Sequence, residues 1–200
     1  MGVFERLNPV TYYLFYTFPM LDGEHLIIQS AIGGESSAFG LLYDHYQPQI
    51  YRFVAIKVGR REDVEDLTHQ VFLSAWQNIK SYTHRGFPFS SWLYRIARNQ
   101  IADFYRARRE TFSFEEVDAE LFAHDPKIEL AAEHHAVTAR VMQAIRSLPP
   151  EHQDVLIMRF VEDLAVRDVA EALGKSEGAV KVMQHRAVKS LKDILTNDLI

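Results

Sequence analysis

Apolar residues along this chain recur every three to four positions in long runs, and no segment alternates convincingly between apolar and polar. That period belongs to helices that bury one face. The first clear run, 36–58, lines up Phe39, Leu42, Tyr46, Ile50 and Phe53. After a break at Gly59 the period returns over 61–82, with Val64, Leu67, Val71, Ala75 and Asn78 predicted inward. THRGFP (83–88) reads as a loop, marked by Gly86 and Pro88. A third long helix follows over 89–109, with Leu93, Ile96, Ala97, Ile101 and Phe104 as its apolar stripe and Ser90 or Ser91 as its N-cap. Residues 110–130 lose the period. Helices resume over about 128–147, stop at Leu148-Pro149-Pro150, and continue as 151–160, 164–173 and 176–195.

The expected fold is therefore all-α, with two small helical domains joined by an acidic linker and a helix-turn-helix at the C-terminal end. The expected boundaries are 1–25 for an N-terminal extension, 26–110 for the first domain, 111–131 for the linker and 132–196 for the second domain.

Composition adds exclusions. An apolar share of 48% over 200 residues is enough to build real cores. With no cysteine there is no disulfide, thiolate metal site or thiol nucleophile, which suits a reducing cytoplasm. The aromatic run VTYYLFYTFPML (10–21) is too short for a spanning helix, which needs roughly 20 residues. It follows Glu5 and Arg6 rather than a basic n-region, so an extension or a misplaced start codon fits it better than an anchor. The expected location is cytoplasmic.

Net charge is −5, yet its distribution is uneven. Residues 91–109 carry five arginines against Asp103, and residues 175–192 carry five basic side chains against Glu177. Between them, residues 110–135 hold eight acids against Lys127. Two basic helices flanking an acidic connector point toward nucleic acid.

The C-terminal charge comes with a turn signature. With a helix-turn-helix template started at Val166, Ala170 falls where two helices cross closely, Gly174 where the turn needs a left-handed residue, and Val180 where a branched side chain pins the second helix. Ser176 is placed to cap that helix, and Glu177 suits its dipole. Val180, Met183, Ala187, Leu191 and Ile194 turn inward, while Lys181, Val182, His185, Arg186, Lys189 and Lys192 turn outward. A solvated charged face would look similar. Turn and charge together favour major-groove recognition, with Lys and Arg on phosphates or guanine edges and Val182 on a thymine methyl.

Helix 89–109 has a different design. Arg95, Arg98, Arg106 and Arg109 share one line beside Asn99, without the glutamates that a merely soluble face would mix in. Phe87, Phe89, Trp92, Tyr94 and Tyr105 border it, as stacking platforms for unpaired bases or as core. On helix 61–82, Glu62, Asp66 and His69 face away from the core with Leu73 and Trp76 among them. These apolar residues fit either a protein partner or packing against helix 36–58.

Four segments, AFGLLYDHYQPQIYRFV (38–54), EDVEDLTHQVFLSAW (62–76), FSSWLYRIARNQIADFYR (89–106) and IRSLPPEHQDVLIMRFVEDLAVRDVAEALGKSEGAVKVMQHRAVKSL (145–191), resemble in order the extracytoplasmic-function (ECF) sigma factors of bacterial RNA polymerase, in the sigma-70 family. The resemblance implies that the acidic helix binds a coiled coil of core RNA polymerase through Asp66, Gln70, Leu73 and Trp76. It implies that 80–109 melts the −10 promoter element, with Arg95, Arg98, Asn99, Arg106 and Arg109 as candidates. The helix-turn-helix would read −35 duplex through Lys181, Val182, His185, Arg186 and Lys189. The acidic linker would thread a basic channel near the RNA exit path, and an anti-sigma factor would mask the DNA surfaces. Val182 and Met183 depart from the family's usual Ser and Arg; Met183 turns inward and costs a phosphate contact at most, while outward-facing Val182 implies a −35 preference different from that of well-known members.

The rivals are a repressor or activator acting without polymerase, and a metal hydrolase using His124, His134 and His135. The first leaves the arginine helix and the acidic linker unexplained, and no heptad seam for a dimer is evident. The second lacks ligand spacing, since adjacent His134 and His135 diverge on a helix. No catalytic role, cofactor, metal or small-molecule substrate is expected.

Overall fold

A computed structural model describes residues 21–109 and 132–197. Among them there are eight α-helices and no strand. They are α1 (Glu24–Ile32), α2 (Ser36–Val58), α3 (Arg61–Asn78), α4 (Phe89–Arg109), α5 (Ala132–Arg146), α6 (Pro150–Leu156), α7 (Val166–Leu173) and α8 (Glu177–Asn197). A 3₁₀ turn, Ile79–Ser81, extends α3, and a π-helical turn, Ile157–Val161, extends α6. The acidic linker, His124 and the first 20 residues lie outside the described residues, as do the side chains of Arg109, His134 and His135.

The period fixed the faces well. Phe39, Leu42, Tyr46, Ile50 and Phe53 on α2 are buried, as are Val64, Leu67, Val71 and Ala75 on α3. Asn78 is the exception. It is exposed, and its Nδ2 donates 2.8 Å back to the Ser74 carbonyl as α3 gives way to the 3₁₀ turn. Phe72 and Thr68 are buried instead. Helix α4 begins at Phe89, directly after Pro88, so neither Ser90 nor Ser91 is its N-cap; both are buried inside it. Helix α1 went unpredicted. It begins at Glu24, within the expected N-terminal extension, burying Ile28 and Ala31 and receiving a hydrogen bond from Tyr46 Oη on Glu24.

Helices α1–α4 pack as one group, α2 and α3 side by side with α4 across them. Phe53 meets Tyr94 with ring centroids 5.2 Å apart, and Tyr46, Tyr82, Phe89 and Trp92 form a chain of tilted or edge contacts at 5.1–5.7 Å. Helices α5–α8 form the second group, with α6 and α7 laid against α8. Gln153 Nε2 ties off the double-proline turn by donating to the carbonyls of Arg146 (2.9 Å) and Leu148 (2.8 Å). The two groups are in contact, α4 with α7 and α2 with α5 and the π turn, and their buried residues join one continuous core.

Candidate nucleic-acid interface

The helix-turn-helix forms as the spacing predicts. Helix α7 ends on Gly174, whose φ of 63° and ψ of 36° are left-handed. Ser176 caps α8, its Oγ accepting from the Ala179 N–H at 3.2 Å. Val180 and Ala187 are fully buried and Ala170 is 6% exposed, so the two helices cross closely. Lys181, Val182, His185, Arg186 and Lys189 are exposed together on the outer face of α8, and Val182 is half exposed. Met183 is half-buried against the core, as its inward position requires.

The arginine helix is arranged differently from the expectation of an open basic line. Asn99 and Arg106 are exposed, and Arg106 pairs with Asp103 one turn back at 2.7 Å. Arg95 and Arg98 turn toward the second group of helices. Arg95 Nη2 donates to the Glu171 carboxylate at 2.7 Å and to the Glu171 carbonyl at 2.6 Å. Arg98 Nε donates to Asp154 at 2.7 Å, and its Nη1 reaches the Ala172 carbonyl at 3.4 Å. The other oxygen of Asp154 takes the Lys57 ammonium, and both of these side chains are almost wholly buried. Burial lowers the Lys57 pKa, and Asp154 only partly restores it. Arg52 grips Glu162 with two parallel bonds of 2.6 and 3.0 Å. Glu162 is 1% exposed, and its burial raises its carboxyl pKa against the pull of Arg52.

Of the aromatics, Tyr94 is wholly buried and Phe89 1% exposed, so both are core. Tyr82, Phe87, Pro88 and Trp92 line an open cleft of about 130 Å³ together with Arg85, Arg95 and Glu171. Tyr105 is partly exposed and donates 2.6 Å to the Lys57 carbonyl, tying α4 to the end of α2. On α3, Asp66, Gln70 and Leu73 are exposed. Trp76 is half-buried, its ring 4.9 Å from that of Phe39, so packing on α2 absorbs much of it.

Sequence reasoning missed Asp154, Glu162 and Glu171, the carboxylates that meet the arginines. Each lies 56 to 110 positions from its partner, beyond the reach of any local pattern. No group of acidic residues and histidines able to hold a metal ion occurs among the described residues. No helix there is long and apolar enough to cross a membrane.

A basic helix-turn-helix beside a second, arginine-bearing helical unit suits a nucleic-acid-directed protein, and comparison with known proteins supplies the class. The family model for sigma-70 region 2 matches residues 42–111, and that for sigma-70 region 4 matches 138–191. The ECF RNA polymerase sigma factor BldN of Streptomyces coelicolor is 37% identical over 175 residues, covering 86% of this chain and 66% of BldN. The ECF sigma factor SigD of Mycobacterium tuberculosis is 31% identical over 181 residues, covering 86% of this chain and 85% of SigD. The fold is also that of CnrH, solved in complex with the cytosolic domain of CnrY (TM-score 0.67, 22% identity, 88% of this chain and 98% of that one). RpoE from Bartonella quintana, solved with the anti-sigma factor NepR, has the same fold (TM-score 0.64, 20% identity, 79% of this chain and 96% of that one). The chain belongs to the ECF sigma factors of RNA polymerase.

Proposed function

We propose that this protein joins core RNA polymerase and directs it to promoters, its two helical groups acting as separate DNA-binding domains. The observation that carries this reading is the pairing of an exposed recognition row on α8 with an arginine-lined aromatic cleft on α4. The row of Lys181, Val182, His185, Arg186 and Lys189 suits the major groove of −35 duplex, where an α-helix fits and side chains reach base edges. The cleft edged by Tyr82, Trp92 and Arg95 suits an unstacked base of a melted −10 element, since rings accept bases and guanidinium groups hold phosphates. Asn99, Arg98 and Arg106 lie further along α4 as candidates for the same strand, with Arg109, whose side chain lies outside the described residues, as a further candidate.

Asp66, Gln70 and Leu73 form the face of α3 offered to polymerase, with Trp76 at its edge. In this reading the acidic linker, which lies outside the described residues, connects the two DNA contacts. An anti-sigma factor fits as a regulatory partner, as NepR does for RpoE. The work belongs in the cytoplasm and needs no catalytic residue or cofactor.

Run-off transcription on fragmented bacterial DNA, with core polymerase in the presence and absence of this protein, tests the reading. New transcript starts sharing two spaced upstream elements are expected. Tight duplex binding by the protein alone, with no new starts, points to a repressor.

A further inference from the structure

Cations gather where the two halves of the molecule, α1–α4 and α5–α8, adjoin, and most of them meet a carboxylate. Arg52, Lys57, Arg95 and Arg98 pair with Glu162, Asp154 and Glu171. Arg108 pairs with Asp63 at 3.0 Å and lies over the Phe104 ring at 4.7 Å. Arg146 is the exception. It closes α5 and is half-buried, and its Nε and Nη1 are sealed from solvent with no hydrogen-bond partner among the described residues. Tyr105 stands close to it, yet that phenol already donates to the Lys57 carbonyl at 2.6 Å. Burial pulls the Arg146 pKa down, but a guanidinium keeps its charge at neutral pH. A charge with two buried, unmade hydrogen bonds is costly, and acceptor oxygens are what it lacks.

The chain itself brings such oxygens near. Tyr105 lies one turn before Arg109, where α4 ends, so the linker departs about 6 Å along the helix axis from Tyr105. Its first acids, Glu110, Glu115 and Glu116, follow within seven residues, a reach of about 23 Å when extended. The far end of the linker enters α5 at Ala132, about 21 Å along that helix from Arg146, so its acids are worse placed. Segment 110–116 carries those three acids with no basic residue, and its Phe112 and Phe114 supply apolar surface for a half-buried seat.

We infer that Arg146 is the seat of the linker's first stretch, with segment 110–116 laid over the junction of α4 and α5 and its carboxylates supplying the acceptors that Nε and Nη1 lack. The linker is then fixed at its start, and residues 117–131 alone carry the chain on to α5. The inference stands on the packing around Arg146, whichever DNA each half reads.

The test is chymotrypsin cleavage of the full, folded chain after Phe112 and Phe114, read by mass spectrometry so that cuts elsewhere are set apart. The wild type is compared with a linker variant (Glu110→Gln, Glu115→Gln and Glu116→Gln), with Arg146→Gln, and with both sets combined. Each rate is divided by that of a synthetic 108–118 peptide of matching sequence. The linker variant and Arg146→Gln should each be cut about tenfold faster than wild type, and combining them should add nothing, since both break the same pairs. If circular dichroism shows Arg146→Gln unfolded, Arg146→Met, which keeps the bulk without the charge, takes its place with the same expectation. Equal rates in all the proteins overturn the proposal. A combined variant cut faster than either also overturns it, because the acids then have another partner. Inorganic phosphate that raises the urea midpoint of wild type but not of the Arg146 variant, with cleavage rates equal, gives the seat to a free anion instead.

Discussion

Tyr46 shows what single buried side chains contribute here. Its phenol sits against Glu24, and burial, then that carboxylate, raises its pKa far above the usual 10.0. Tyr94 is raised well above it by burial and by Glu162, and Tyr82 is pushed up to about 12, again mainly by burial. For each, the folded state holds its proton more tightly than the unfolded chain does. Their contribution to stability is therefore complete below about pH 10 and is lost as pH rises through the folded values. Of the nine tyrosines, these three should accordingly ionise only together with loss of helical circular dichroism, as a late step of tyrosinate absorbance above the ordinary tyrosine range. Full tyrosinate absorbance from all nine near pH 10, in a chain that stays helical, would show that these three hydroxyls are not held by the fold. At this scale the sequence showed which residues go inside but not which polar groups accompany them. Tyr94 was placed beside the arginines because it flanks them on α4, yet α2 and the Glu162 turn close over it.

Among the elements, α7 and α8 were the most legible, because a helix-turn-helix is specified locally. Gly174, Ser176, Ala170 and Val180 are close in sequence and each answers a local demand. Gly174 is the sharpest. A Cβ added there meets nothing within 4 Å, so the cost of a side chain is conformational alone. Gly174→Val should therefore lower stability by about 1–2 kcal/mol, with Gly174→Asn recovering much of it, since Asn tolerates the left-handed region. Urea unfolding of the three proteins measures this. Equal losses for Val and Asn would mean that packing rather than φ governs the site. The elements that misled did so at their ends. Asn78 sits where the α-helical wheel stops applying, and Pro88 starts α4 earlier than a serine cap would.

For the whole molecule, the sequence showed two basic helices and said nothing of their contact. Beside the apolar core that the two groups share, the polar part of that contact is ion pairs between residues distant along the chain, a matter of tertiary geometry. Their burial sets how the closed state responds to salt. Arg95–Glu171 is 42% and 27% exposed, so ions reach it, whereas Asp154 and Glu162 are 3% and 1% exposed and lie beyond effective screening. The radius of gyration from small-angle scattering should hardly change between about 0.1 M and 1 M salt, though the Debye length shrinks from about 10 Å to 3 Å. A marked expansion would mean that the exposed pair, not the buried hub, keeps the halves together.

Arg95 and Arg98 carry their own counterions inside the protein. Nonspecific affinity for a chromosome comes from small ions freed when basic residues displace them from phosphates, and cations already neutralised internally free fewer. With the two halves packed, contact with ordinary duplex therefore rests chiefly on the open cations of α8. The salt dependence of that contact should count the α8 cations and leave out Arg95 and Arg98.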